Sequence, residues 1–235
     1  MKPSNIHLLG TNEAGQDMLL LVLGGTVNSI LISVLVVLGT NIISLILGSL
    51  MALYGKSLER LLLRVIDIFI VLPSNILIMA ISIYIKPGIL WFSLILFLFG
   101  WAQGTRLIWS HTKRIVNKDY INAVRSFGGS RFYILRKHIF REILPLLLVI
   151  AIQTTRRTIL IESSLSFLGI TNPEIISLGK LINKSLDFLY LDVWKWCLLP
   201  PLLSLIFILV SFGSLGFYLE GKVDRRFNID RDIRA

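Results

Sequence analysis

A group of polar side chains interrupts an otherwise apolar stretch: Gln153, Thr154, Thr155, Arg156, Arg157, Thr158 and Glu162. Thr154, Thr158, Glu162 and Ser166 recur every four residues, which on a helix makes one stripe, and Gln153 and Arg157 add a neighbouring face. The chemistry such a stripe supports is binding and passage rather than bond cleavage. Guanidinium groups beside a wet path would attract carboxylates. An Arg–Glu pair, or an arginine bonded to another chain, would be structural. A cation at the centre of a bilayer-spanning helix costs about 2.5–3.5 kcal/mol even on the lenient insertion scale, so Arg156 and Arg157 are not expected to face lipid. Other chemistries find little support. The single cysteine, Cys197, excludes an internal disulfide and a thiolate cluster. His7, His111 and His138 lie in polar or flanking segments, so no metal site is expected, and no nucleophile–base pair suggests catalysis. A GxxxxGK[ST] phosphate loop is absent.

The elements that must hold this stripe are membrane spans. The chain has 235 residues, 54% hydrophobic and 16% charged, with a mean hydropathy of +0.76. A soluble domain carries about 25% charged residues. Residues 18–55, 68–85, 87–105 and 196–219 contain no charged side chain at all, and a spanning helix needs roughly 20 apolar residues. The fold class is therefore all-α, a polytopic membrane protein. The segment 19–54 is too long for one upright span and reads as a short interfacial helix near 15–24 followed by a span near 26–54. Further spans are expected at 65–85, with Pro73 inside, at 89–109, from Pro145 to about 168, and at 196–219. Asp67 is expected to pair with Arg64 three residues earlier. Residues 1–17 have no apolar core ahead of a cleavage-like site, so no signal peptide is expected. Trp194 and Trp196 read as interfacial anchors.

Residues 106–142 differ in character. They hold Arg106, Lys113, Arg114, Lys118, Arg125, Arg131, Arg136, Lys137 and Arg141 against Asp119 and Glu142. Gly128 and Gly129 divide them into two short helical pieces. On the second, Phe132, Leu135 and Ile139 make an apolar face. One reading is an amphipathic helix on anionic lipid; the other is a docking element for a soluble partner, with Ala123 and Gly128 permitting close contact. Three Lys or Arg residues in 55–64, nine in 106–142 and five in the tail stand against Lys2, Lys86, Lys180, Lys184 and Lys195 on the opposite side, with Arg156 and Arg157 inside a span. The positive-inside rule puts the richer set in the cytoplasm. Five spans then leave the N-terminus outside and the C-terminus inside.

Several motifs resemble one family. Asp119, Tyr120, Ile121, Asn122, Ala123, Val124, Arg125, Ser126, Phe127 and Gly128 are similar to the EAA loop of ABC importer permeases. The run from His7 to Asp17 resembles the "HLLGTDELGRD" opening of the second permease of peptide (dipeptide or oligopeptide) and nickel importers. Glu162 to Gly169 resembles its "E-x-x-LSFLG". Arg64, Asp67 and Pro73 fit its "R-x-x-D…P" helix, and Leu215, Gly216, Asp224 and Arg226 fit its C-terminal motif. Asn122 and Val124 stand where the family has Glu and Ala, and Leu178 stands for a Trp in its external loop. The family usually carries one more helix ahead of the His7 segment, so five spans rather than six are expected here.

The resemblance implies a type I ABC importer permease fold. Residues 1–17 would be extracytoplasmic, 18–219 the transmembrane permease domain with the coupling loop 106–142 and external loop 169–195, and 220–235 a cytoplasmic tail. It implies a multi-pass protein of the cell membrane that works with a second permease subunit in a heterodimer, two cytoplasmic ATPase subunits and an extracytoplasmic substrate-binding protein, with no nucleic-acid partner. ATP and Mg would be bound by the partner ATPases, and no cofactor by this chain, which would be a translocation subunit rather than an enzyme. Asp119, Tyr120, Asn122, Ala123, Val124, Ser126, Phe127 and Gly128 would couple to the ATPase. Gln153, Thr154, Arg156, Arg157, Thr158 and Glu162 are the translocation-path candidates. The cargo would be a peptide, or a nickel or other metal held by a carboxylate chelator (a metallophore). An ion-coupled secondary transporter and a non-transporting membrane scaffold are the alternatives.

Overall fold

The computed structural model of the chain describes residues 2–5, 7–190 and 193–232. The described residues form helices and no strand, apart from one isolated bridge between Thr11 and Asp17. Among the described residues four helices or helix runs are long and apolar enough to cross a membrane, and a pair bent by 71°, Ser57–Val71 with Ser74–Ile85, makes a fifth where it counts as one span. In chain order the elements are α1 (Met18–Tyr54), α2 (Lys56–Val71), α3 (Ser74–Ile85), α4 (Ile89–Val116), α5 (Asp119–Ser126), α6 (Arg131–Ile134), a π-turn (Leu135–Ile139), α7 (Phe140–Phe167), α8 (Leu178–Ser185), a 3-10 turn (Leu186–Phe188), α9 (Trp194–Cys197) and α10 (Leu199–Asp232). The all-helical, multi-pass architecture is the one expected from composition.

Four expectations about individual elements need correcting. First, α1 is a single helix of 37 residues rather than an interfacial helix and a span. At about 1.5 Å per residue it exceeds a hydrocarbon core of about 30 Å. Gly25 does not break it, because its missing side chain serves a close approach: a Cβ there would stand 3.0 Å from the Leu178 amide nitrogen. Second, the span expected at 65–85 starts earlier, with Glu59, Arg60 and Arg64 already helical in α2, and it is broken at Pro73. Leu72 adopts an extended conformation, φ −61° and ψ 133°, as a residue ahead of proline is pushed to do.

Third, the second half of the basic segment is continuous with the fourth span, so that Pro145 lies inside a helix run of 37 residues from Arg131 to Phe167. Fourth, the expected apolar face Phe132–Leu135–Ile139 is packed only in part: Ile139 lies in the core and Leu135 packs half-buried against it, but Phe132 does not. Phe132 is 69% exposed, whereas Ile134 and Ile139 are both fully buried. Residues five apart on an α-helix point about 140° away from each other. The wider π-turn at Leu135–Ile139 brings the two isoleucines to the same side.

The chain packs as two compact units. One comprises Met1–Val36, Asn75–Leu96 and Thr154–Ser214, with a core of Met18, Leu21, Val22, Ile159, Leu178 and Ile208. The other comprises Val37–Ser74, Phe97–Gln153 and Leu215–Ala235. Its main core gathers Leu53, Ile108, Ile115, Ile121, Ile134, Ile139, Ile143 and Ile150. Within this second unit small residues let α1 and α4 touch, as is usual for helices without a hydrophobic driving force between them. A Cβ on Gly48 would meet the Thr105 carbonyl at 2.9 Å, and Ser44 donates to the Trp101 carbonyl at 3.2 Å.

Two ion pairs tie α2 to α4: Glu59 with Lys113, and Asp67 with Arg106 at 2.7 Å. Asp67 therefore reaches across to α4 instead of pairing with Arg64 on its own helix. Beyond the Asp67–Arg106 pair, Phe69 packs edge-on against Trp101 at 5.3 Å.

Candidate functional site

The first candidate site is the coupling segment, built within the second unit. Helix α5 is only eight residues long, too short to persist alone in water, where isolated helices under about 12–15 residues are marginal. Its position comes from one face. Ile121 is fully buried in the main core and Val124 packs against it half-buried. At its start, Lys118 donates to Glu142 at 3.0 Å, and the Tyr120 hydroxyl donates to the same carboxylate. Lys118 is largely buried and Glu142 about one-third exposed, so this is a partly desolvated staple rather than a surface pair.

The end of α5 is closed by a glycine device. Gly128 has φ +83°, a left-handed conformation that glycine adopts without strain. Its N–H donates to the Arg125 carbonyl at 2.9 Å, and the Gly129 N–H to the Val124 carbonyl at 2.9 Å, the reciprocal pair of a Schellman cap. The cap throws Phe127 outward, 91% exposed. Asp119, Asn122, Ala123, Ser126 and Gly128 are exposed as well, and Tyr120 is 38% exposed. Seven of the eight coupling candidates thus share an open surface, with Val124 turned inward. Ile121 and Glu142, which hold that surface in place, are not among the coupling candidates that the resemblance implies. The i, i+3 spacing of Ile121 and Val124 was the available signal for the first, and Glu142 had none.

The second candidate site is the polar stripe of α7. In the first unit Thr158 and Glu162 are buried, 3% and 2% exposed, together with Ser163 and Ser166. The Glu162 carboxylate accepts from Ser29 of α1 at 2.7 Å and from Ser166 at 2.9 Å, with Ser163 at 3.4 Å. Arg156 is exposed and Thr154 and Arg157 are half-buried. The Arg156 guanidinium lies beside Gly213 of α10, where a Cβ would stand 3.6 Å from Nη1. In the second unit Gln153 is exposed and donates to Glu220 of α10. The stripe therefore divides: Thr158 and Glu162 are enclosed, whereas Gln153 and Arg156 lie open. No Arg–Glu pair joins Arg156 to Glu162.

The N-terminal motif closes on itself. His7 Nδ1 meets Asp17 Oδ2 at 2.9 Å, and Asp17 Oδ1 accepts from the Leu19 N–H at 2.8 Å, capping α1. Gly10 and Gly15, both at positive φ, turn the chain between them, and the Met18 N–H donates to the Gly10 carbonyl. The hydrogen bond from His7, then that from Leu19, holds the Asp17 carboxyl below the usual carboxylate range. Farther on, burial and then the nearby Lys184 charge push the Lys180 ammonium below its ordinary value. The side chains of Asp224 and Arg226 lie outside the described residues. Among the described residues no three His, Cys, Asp or Glu side chains cluster as metal ligands.

Comparison with known proteins gives a consistent result. The sequence profile described as "Binding-protein-dependent transport system inner membrane component" matches residues 44–229. The chain is 32% identical over 225 residues to the oligopeptide transport system permease protein OppC of Mycobacterium tuberculosis (strain ATCC 25618 / H37Rv), covering 94% of this chain and 77% of the relative. It is 30% identical to the protein of the same name in Lactococcus lactis subsp. lactis (strain IL1403), covering 95% and 76%. It is 28% identical to the probable D,D-dipeptide transport system permease protein DdpC of Escherichia coli (strain K12), covering 95% and 75%.

Proposed function

Since the chain belongs to the family of inner membrane components of binding-protein-dependent transport systems, we propose that it is a translocation subunit of an ATP-driven peptide importer. It would pair with a second permease and receive its cargo from an extracytoplasmic binding protein. The observation that carries this reading is the exposed surface of α5 with Phe127 at its tip, mounted on a buried isoleucine. A short helix fixed rigidly to two spans and open on its outer face transmits force from a soluble partner. With the basic segment in the cytoplasm, as the positive-inside rule places it, that partner is a pair of ATPases. They supply the ATP and Mg that this chain has no loop to bind. The N-terminus then lies outside.

The cargo reading rests on the names of the relatives, an oligopeptide and a probable D,D-dipeptide transport system permease, and on Arg156. An open guanidinium in mid-span demands an aqueous or anionic neighbour, and a peptide C-terminus supplies one. Thr154 and Arg157 extend the same polar surface, and Gln153 is proposed as a further path residue. A nickel or other metal complex held by a carboxylate chelator would present similar anionic groups.

The test is uptake into proteoliposomes holding the complete importer, with labelled peptide and with the nickel–chelator complex as separate cargoes. Peptide uptake that needs ATP and falls at least about tenfold in Arg156→Gln/Arg157→Gln, equivalent to about 1.4 kcal/mol of lost differential interaction, supports the proposal. Uptake of peptide unchanged in that double variant removes the arginines from the path. Uptake of the chelate alone replaces the peptide by the metal complex.

A further inference from the structure

We propose that Glu162 is a positioning residue, the carboxylate of a clamp that seats the segment 176–185 on α1 and α7 and thereby fixes one wall of the cavity around Cys197. Glu162 is 2% exposed, and among the described residues no cation pairs with it. A buried carboxylate is costly unless its lone pairs are filled, and here hydroxyl groups from separate stretches of chain fill them. Ser29 comes from α1 at 2.7 Å, and Ser166, one turn on in α7, at 2.9 Å. Ser166 also meets Thr171 in the following loop at 2.9 Å. Ser177, buried beside the carboxylate, accepts from the Lys180 N–H at 3.3 Å and so caps α8. Ser29, Ser166 and Ser177 are each no more than 1% exposed.

Backbone contacts complete the seat. Asn28 donates to the Ile176 carbonyl at 2.8 Å. Gly25 and Gly179 mark where main chain lies directly on main chain: a Cβ on Gly179 would stand 2.0 Å from the Ser163 carbonyl oxygen. At the far end of α8, Ser185 donates to the Cys197 carbonyl at 2.8 Å. Behind the helix is a cavity of ≈ 290 Å³, lined in part by Thr11, Glu13, Leu181, Lys184 and Cys197. The clamp carboxylate and this cavity are therefore linked through one short helix. An apolar side chain would fill the Glu162 site at lower desolvation cost, but only a multiple acceptor ties these stretches together.

Cys197, the only cysteine of the chain and 5% exposed, is a built-in reporter. In the complete importer in proteoliposomes, alkylation of the Cys197 peptide by a water-soluble maleimide is followed by mass spectrometry. In Glu162→Ala the rate rises at least about tenfold, as local opening becomes about 1.4 kcal/mol easier. Glu162→Gln, which keeps the shape and an acceptor, restores most of the protection. Ser164→Ala, whose hydroxyl bonds only the Leu160 carbonyl one turn back, leaves it unchanged. Hydrogen exchange increases in 171–188 and not in 121–134.

The proposal is independent of the identity of the cargo, and uptake separates it from a path role. A clamp variant raises the half-saturating concentration while keeping the maximal rate. Loss of maximal rate at constant half-saturation puts Glu162 in the path and overturns the proposal. So does a Cys197 rate within about twofold of wild type in folded Glu162→Ala, since twofold corresponds to only about 0.4 kcal/mol. Should Glu162→Ala fail to accumulate, Ser29→Ala and Ser177→Ala carry the same expectation, and unchanged labelling in both overturns it.

Discussion

Replacing Ile121 with alanine isolates the mechanical part of the coupling proposal. Ile121 is fully buried among the side chains of α4 and the helix run 131–167, while its neighbours Asn122 and Ala123 lie open. Truncation of a buried isoleucine to alanine costs about 2–5 kcal/mol, and to valine about 0.5–1.5 kcal/mol. The cost is local, because the surrounding isoleucines belong to long helices with many other contacts, whereas α5 has eight residues and one buried face. A loss of about 3 kcal/mol lowers the ratio of seated to unseated α5 by roughly two orders of magnitude. The assay compares ATP hydrolysis with uptake in proteoliposomes of the complete importer. Ile121→Ala should cut uptake per ATP by at least about tenfold, and Ile121→Val by less than that, a grading that follows the lost volume. Asn122→Ala should weaken recovery of the ATPases without unseating the helix. Full uptake per ATP in a folded Ile121→Ala complex would refute the idea that α5 acts through its buried anchor.

Two further outcomes follow from local geometry. Gly179→Ala places a methyl group 2.0 Å from the Ser163 carbonyl oxygen, where neither backbone can yield without lifting α8. Overpacking costs typically about 1–3 kcal/mol, so the melting temperature should drop clearly, while Gly221→Ala, with nothing within 4 Å, should leave it unchanged. The Asp17 carboxyl, held low first by its hydrogen bond from His7, contributes stability that is complete above the unfolded value of about 3.9. That contribution is lost as pH falls through the lower folded value. Protection of the Leu19 amide, corrected for intrinsic exchange, should therefore decline only in that acid range, and Asp17→Asn should remove the dependence.

The multi-pass helical fold was legible because charge-free runs of bilayer length leave no soluble alternative. Other features depended on contacts that no local pattern encodes. Nothing in the spacing of Arg64 and Asp67 indicated that Asp67 would choose Arg106, thirty-nine residues away, because an i, i+3 pair is available on any helix and the competing partner arrives by tertiary packing. The break at Pro73 was visible as a proline, but its consequence depended on Leu72 yielding to the extended region. The π-turn has no sequence signal: a template of 3.6 residues per turn puts Phe132 on a face that Ile134 occupies. His7 and Asp17 were read as the ends of a motif. Their mutual hydrogen bond shows why those two types stand ten residues apart, one orienting the carboxylate and the other capping α1.

The stripe on α7 shows how one periodicity can serve two purposes. Thr154, Thr158, Glu162 and Ser166 lie four residues apart, and spacing alone groups them with Arg156 and Arg157. Burial separates them. Glu162 and Ser166 are turned toward α1 and the loop that follows α7, where hydroxyl groups satisfy the carboxylate, and a cation there would compete with those bonds. Arg156 faces outward beside Gly213. Were the two charges meant to neutralise each other, placement at i and i+4, or i and i+3, would suffice, but Arg156 and Glu162 are six residues apart and on divergent faces. The acid is used to hold a fixed part of the structure. On the proposed reading the base is left available to something that comes and goes, and a peptide carboxylate in transit would have the charge, the size and the transience that such a site requires.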